Sequence, residues 1–201
     1  MPSDSFHTEK YDNTWTDRAN TMIETSYRED VFRDIIPPGV VSILEVGCGA
    51  GYNLEAIRDI NPDYKLTGVD ILDHAIDLGK AKGLDMVKGD GLNLPFANDS
   101  IDLVMACGYL DWVTYENIHK AVSELKRVSS RYVLVIDYCF VGDMRPYNPE
   151  MELFVTYRRT ILYVVRNYPM FFKDMTLVKE IETLPKEFSI VPISAWLFEK
   201  G

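Results

Sequence analysis

Glu45, Gly47, Gly49 and Gly51 sit close together in one stretch, Ser42-Ile43-Leu44-Glu45-Val46-Gly47-Cys48-Gly49-Ala50-Gly51. Glycines at alternate positions let the backbone take φ values that a Cβ forbids, and let a ligand lie directly on the main chain. Residues 40–46 read as a short buried strand, and Tyr52-Asn53-Leu54-Glu55-Ala56-Ile57 as the helix that follows. A strand feeding a helix N-terminus in this way makes a nucleotide site in an open α/β sheet. The pyrophosphate fingerprint is G-x-G-x-x-G, and its third glycine position falls here on Tyr52. With Glu45 at the strand end, the negative charge suits a cationic ligand better than a pyrophosphate. A tight turn without a ligand and a nicotinamide or flavin site are the competing readings.

Further chemistry-bearing residues recur at strand ends. Asp70 closes the second strand, where a carboxylate can accept hydrogen bonds from both hydroxyls of a ribose; an ordinary exposed acid is the alternative. Ile71 and Leu72 follow and offer an apolar surface to a base. Gly89-Asp90-Gly91 comes after the third strand, and Cys107-Gly108 ends the fourth. Asp111 lies just beyond it, and Asp137 and Tyr138 end the fifth strand. These two carboxylates are the candidates for a general base if the reaction needs one, with Asp111 preferred. Asp102, inside the fourth strand, reads as structural, and His74 as a surface helix residue. Tyr11, Trp15, Tyr27, Tyr138, Arg145, Tyr147 and Arg158 could face a polar, ring-shaped or acidic acceptor, or belong to a solvated surface.

The elements that position these residues alternate. A capping-box pattern at Ser26–Glu29 opens a helix that Pro37-Pro38 stops. Strands are expected at 40–46, 65–70, 85–88, 101–106 and 132–138, with helices to about residue 60, over 73–82 and over 117–128. Such alternation argues a parallel, doubly wound α/β sheet. A short helix over 14–22 precedes it. Asn148-Pro149 is expected to open a further helix whose buried stripe is Leu153, Tyr157, Ile161 and Val164, ended by Pro169. Two final strands, 176–181 and 192–198, are too close for a helical crossover and should be antiparallel. At 201 residues the chain is long enough for one well-packed domain.

Composition narrows the partners. Formal net charge is −10, from 31 acids against 21 bases, which repels phosphates and leaves no footprint for nucleic acid. Cys48, Cys107 and Cys139 lie in apolar, strand-like contexts without metal-ligand spacing, the pattern of reduced thiols in a cytoplasmic protein; no metal site is expected. The polar N-terminus and the absence of a long apolar run argue against a signal peptide or a membrane span. The oligomeric state is left open.

Glu45-Val46-Gly47-Cys48-Gly49-Ala50-Gly51 resembles motif I of the class I S-adenosylmethionine-dependent methyltransferases, and the resemblance extends over residues 40–199. It implies a Rossmann-like, mostly parallel seven-stranded sheet with an antiparallel C-terminal strand pair. S-adenosylmethionine would be the cofactor, bound by Glu45, Gly47, Cys48, Gly49, Asp70, Ile71, Asp90, Gly91 and Cys107. Asp90 would contact the adenine amino group, the Gly91 N–H a ring nitrogen, and the Cys107 carbonyl the methionine ammonium. Arg18 could pair with the methionine carboxylate through a bidentate fork, or be solvated. The Asp/Asn-Pro-Pro-aromatic motif of amino-methylating nucleic-acid enzymes is missing at Tyr109-Leu110-Asp111-Trp112. Three stretches are similar to methylases associated with pseudaminic-acid and related surface-sugar biosynthesis: Thr16–Asn20, Cys107–Val113 with Glu124–Val128, and Ser130–Tyr138. Many of those carry histidine where this chain has Trp112. The resemblance thus implies methyl transfer to a small molecule, at a hydroxyl or carboxyl of a sugar or another metabolite. A nucleotide-sugar oxidoreductase or epimerase, and a silent cofactor-binding module, are the alternatives. Tyr52 and the lack of a Tyr-x-x-x-Lys pair count against the oxidoreductase.

Overall fold

The computed structural model describes residues 25–138, 153–157, 161–181 and 193–201. Helix α1 (Thr25–Ile35) leads into β1 (Ser42–Val46), α2 (Tyr52–Ile60), β2 (Lys65–Asp70), α3 (Asp73–Ala81), β3 (Asp85–Lys88) and β4 (Ile101–Cys107). A 3₁₀ turn (Leu110–Trp112), α4 (Ile118–Val128) and β5 (Ser129–Tyr138) follow. Then come β6 (Leu153–Tyr157), β7 (Ile161–Val165), a second 3₁₀ segment (Tyr168–Phe172), β8 (Thr176–Ile181) and β9 (Ile193–Glu199).

Seven strands make one sheet in the order β3-β2-β1-β4-β5-β9-β8. The first five pair in parallel. β9 is antiparallel to both β5 and β8, so β8 points the same way as the parallel five and β9 alone is reversed. The central strands β1 and β4 bury both faces, as crossover helices require. Within β5, Val133 and Val135 join a core under α4 that includes Val122, Leu125, Phe172 and Phe198. Tyr132 and Leu134 point the other way, to a core with Phe32 and Ile35 of α1 and Ile57 of α2.

At the N-terminal ends of β1 and β4, Asp102 Oδ2 accepts hydrogen bonds from the amides of Val41 (2.9 Å) and Ser42 (2.8 Å). In return the Asp102 amide donates to Ser42 Oγ at 2.9 Å. Burial tends to raise this carboxyl, but the Ser42 and Val41 amides, the Ser42 hydroxyl and Arg131 outweigh it and hold it below its ordinary value. The structural reading of Asp102 therefore holds.

β2, β3 and β8 fall on their expected bounds, and α1 starts one residue before its capping box. The expected helix does not form over 153–157 or 161–165. β6 and β7 pair there as an antiparallel hairpin, Leu153 opposite Val165 and Tyr157 opposite Ile161. Apolar residues at 153, 157, 161 and 164 do recur at a helical spacing. They belong, however, to Leu-Phe-Val-Thr-Tyr and Ile-Leu-Tyr-Val-Val, β-branched and aromatic runs that favour a pleated surface. The expected helix over 14–22 lies outside the described residues. No helix of the described residues is long and apolar enough to cross a membrane.

Candidate functional site

The sheet order reverses at β1, whose neighbours are β2 and β4; ligands of open α/β sheets bind beyond the C-terminal strand ends at such a point. The glycine loop emerges there. Its first turn is folded back on β2 by the amides of Gly47 (2.9 Å) and Cys48 (3.1 Å), both donating to the Val69 carbonyl. Gly47, Gly49 and Gly51 have φ of 70°, 53° and 78°, the left-handed region open to glycine. Their surroundings separate them. A Cβ on Gly47 would lie 2.8 Å from the Tyr109 ring, and one on Gly51 2.3 Å from Leu84. A Cβ on Gly49 meets nothing within 4 Å, nor does one on Gly108. Gly47 and Gly51 are thus fitted to the protein, while Gly49 and Gly108 face open space.

Asp70 ties the second loop to the first. Its Oδ2 accepts from the Gly49 amide (2.8 Å) and its Oδ1 from the Leu72 amide (2.9 Å). Burial raises its carboxyl, opposed by the amides of Leu72, Gly49 and Ile71. Ile71 beside it is 41% exposed, an apolar side chain left at the mouth of the site. The third loop joins through the Gly89 amide, which donates to the Asp70 carbonyl at 3.0 Å. Asp90 turns its own loop, with Oδ1 accepting from the Leu92 amide at 2.8 Å.

Glu45 is 1% exposed and accepts from Asn53 Nδ2 at 2.6 Å, which links the strand end to α2. Lys82 Nζ lies 3.3 Å from the centroid of Tyr52 and donates to the Ala50 carbonyl at 3.2 Å. The position of the fingerprint's third glycine is thus filled by a ring engaged within the protein. Cys48 is buried, and burial with Glu45 and Asp70 pushes its thiol far up, the mark of an inert cysteine.

Tyr109 is not among the expected site residues. It packs against Gly47, and its hydroxyl occupies the place a Cβ on Gly91 would take, 2.2 Å from it. Burial, then Asp90 and Asp70, raise its hydroxyl well above the usual tyrosine value. Glycines whose missing side chains make room for one ring leave no local trace in sequence.

Asp111 and Asp137 come together in a setting the sequence does not announce. Asp111 is 4% exposed and Asp137 2%; the Asp111 amide donates to Asp137 Oδ2 at 3.3 Å. Arg166 lies beside them, 2% exposed. It donates to the Leu110 carbonyl and, at 2.7 Å, to the Val113 carbonyl. Burial and then Asp137 raise the Asp111 carboxyl well above the carboxylate range, and Arg166 partly offsets this. Arg18, Tyr11, Trp15, Arg145, Tyr147 and Arg158 lie outside the described residues, as do the side chains of Tyr27 and Tyr138. His74 follows Asp73 at the start of α3.

The sheet order and the glycine loop define the fold, that of the class I S-adenosylmethionine-dependent methyltransferases. Residues 44–133 match the family model described as a methyltransferase domain. Demethylmenaquinone methyltransferase of Staphylococcus aureus is 30% identical over 98 residues, a match covering 44% of this chain and 41% of that protein; the matched part is less than half of that relative. A solved S-adenosylmethionine-dependent methyltransferase from Methanosarcina mazei superposes with a TM-score of 0.67 at 14% identity, covering 85% of this chain and 96% of that one. The magnesium protoporphyrin IX methyltransferase of Synechocystis, solved with S-adenosylmethionine bound, gives 0.60 at 12% identity over 94% and 79%.

Open space at Gly49 and Gly108, the exposed Ile71 and the acids Glu45, Asp70 and Asp90 fit a cationic nucleoside. S-adenosylmethionine is such a molecule.

Proposed function

We propose that this chain transfers a methyl group from S-adenosylmethionine to a small molecule, at a hydroxyl or carboxyl of a sugar or another polar metabolite. The observation that carries the reading is the Gly49–Asp70 link, a strand-end carboxylate holding the one loop glycine that faces open space. Each Asp70 oxygen keeps a second lone pair, which leaves acceptor capacity for the ribose hydroxyls. Asp90 and the Gly91 amide are proposed for the adenine, and the Cys107 carbonyl and Glu45 for the positive methionine end. Arg18 is proposed for the methionine carboxylate.

When bound, the cofactor supplies an already activated methyl group, so the chain's task is to align the acceptor and exclude water. A carboxylate acceptor needs no base. A hydroxyl does, and Asp111 is the proposed one, with Asp137 second. Burial beside Asp137 raises Asp111, the direction a general base requires. The demethylmenaquinone enzyme is a weaker guide to the acceptor, because the match covers only 44% of this chain and 41% of that enzyme.

The test is thermal melting with S-adenosylhomocysteine. A ligand that binds only the native state raises Tm, so a clear rise is expected. No shift at millimolar ligand, with a shift from NAD instead, overturns the reading.

A further inference from the structure

Arg166 is a buried cation that the proposed chemistry leaves unused. It follows β7 directly and sits where three elements converge. From the turn after β4 come the Leu110 and Val113 carbonyls, both of which it holds, and the Asp111 carboxyl. From β5 comes Asp137, whose register partner on β9 is the buried Ser194. From the second 3₁₀ segment comes Tyr168, its hydroxyl raised by burial and by Asp137, its ring 5.7 Å from Trp196 of β9. Among the described residues, Asp111, Asp137, Tyr168 and Arg166 are the titratable groups that meet here.

Two features of the arrangement matter. Leu110 and Val113 bracket the 3₁₀ turn, so one planar guanidinium spans the turn from end to end, which its forked donors allow and a lysine's single head does not. The hairpin that Arg166 terminates packs through β7 on that same turn and on β5. In addition, two carboxyls face one cation in a place closed to water. One proton or one cation must offset each carboxylate there, because an uncompensated buried charge is strongly unfavourable. Arg166 supplies one. Among the described residues, Asp111 Oδ1 is buried without a hydrogen-bond partner.

We propose that Arg166 is a positioning residue: it locks the β6–β7 hairpin onto the turn after β4 and sets the place and charge of the Asp111–Asp137 pair at the acceptor end of the cleft. The name "acceptor end" rests on the methyltransferase reading, since the loops after β1, β2 and β3 occupy the other end; the lock itself does not.

Amide hydrogen exchange tests this on the full chain, in wild type, Arg166→Met, Arg166→Lys and the double variant Arg166→Met/Asp111→Asn. In Arg166→Met, amides of 110–113, 153–157 and 161–165 should exchange at least about tenfold faster, while the 47–51 loop keeps its protection. Arg166→Lys should fall between. A pH series separates charge from clamping. With the cation removed, two carboxylates repel, so hairpin protection in Arg166→Met should recover as pH falls and a carboxyl takes up a proton. The double variant should show this recovery at every pH, because the amide introduced at position 111 carries no charge. S-adenosylhomocysteine affinity, measured in parallel by calorimetry, should be unchanged in all four. If Arg166→Met does not fold, Arg166→Lys carries the test through the same local pattern. Hairpin exchange unchanged in the variants, or protection lost equally in the hairpin and the glycine loop, overturns the proposal. Failure of wild type to bind S-adenosylhomocysteine would instead sink the methyltransferase reading and leave the exchange result standing.

Discussion

The loops after β1, β2 and β3 and the turn after β4 share one edge of the sheet and are held by different means. The first three are stitched by short hydrogen bonds between main chain and strand-end acids: Gly49 to Asp70, Leu72 to Asp70, Gly89 to the Asp70 carbonyl, Leu92 to Asp90. The turn after β4 is held from afar, by Asp137 of β5 and by Arg166, which stands 56 and 53 residues from the carbonyls it grips. Tyr109 is the joint, its ring against Gly47 and its hydroxyl at Gly91. One half is built from local motifs and the other from side chains that meet only in the folded chain. On the proposed reading, a site of this kind can keep its donor grip while its acceptor end is rebuilt.

The largest expected effect falls on the acceptor half. Asp111→Asn should lower methyl transfer by about 10²–10⁴-fold, the usual worth of a general base, with donor affinity unchanged. Transfer from labelled donor into a small-molecule extract, read beside calorimetry, checks both. Full turnover would leave positioning alone to do the work, and lost donor binding would merge the two halves. The same variant has a pH signature. The folded chain holds the Asp111 proton above the pH at which the unfolded chain releases it. That stabilisation is complete below the unfolded value and lost as pH rises through the raised one. Tm of wild type should therefore fall over this window, and that of Asp111→Asn should fall less.

Next comes Gly49→Val, which puts a branched side chain into the open space of the donor half. Affinity for S-adenosylhomocysteine should drop by about 100-fold or more, about 2.7 kcal/mol. The fold should lose only ~1–2 kcal/mol for a non-glycine residue at positive φ. Gly47→Val should do the reverse damage, unfolding the loop against Tyr109. Normal binding by Gly49→Val would reduce the loop to a turn. Asp70→Ala should cost ~1.5–3 kcal/mol of donor affinity, the range for hydrogen bonds to a charged group; an unchanged affinity would place the ribose elsewhere.

The smallest effect is the control for both halves. Asp102→Ala, at the opposite end of the strands, should lower stability by ~1–2 kcal/mol and leave donor affinity alone. Because its carboxyl is held below the ordinary value, this stabilisation is present above that value and disappears as pH falls through the lowered one. Equal melting of wild type and variant at low pH is the check.

The same contrast explains what the sequence makes legible. Glycine spacing, strand-end acids and the alternation of strands with helices are local, and the glycine loop and the sheet could be read from them. The hairpin could not, because Leu153, Tyr157 and Ile161 satisfy a helical period while their neighbours favour strand. Arg166, a single charge after Ile-Leu-Tyr-Val-Val, looks like the end of an apolar run. Two of its partners are main-chain carbonyls, which have no residue type to search for. Tyr109 is missed for a related reason: its pocket is made by what Gly47 and Gly91 lack.

The Asp102–Ser42 exchange bears on how β1 and β4 find their alignment. In a strand with one wet face, a slip of one residue turns its apolar side chains to solvent, and alternation alone forbids it. β1 and β4 have no wet face. Ile43 and Leu44 enter opposite cores, as do Leu103 and Val104, so a slipped pairing would still bury oily groups on both sides. Parity is silent in such a pair. The reciprocal bonds between Ser42 and Asp102 form in one alignment only, which makes a polar contact at the blunt end of the sheet the index mark for the height at which Gly47 and Gly108 emerge at the other.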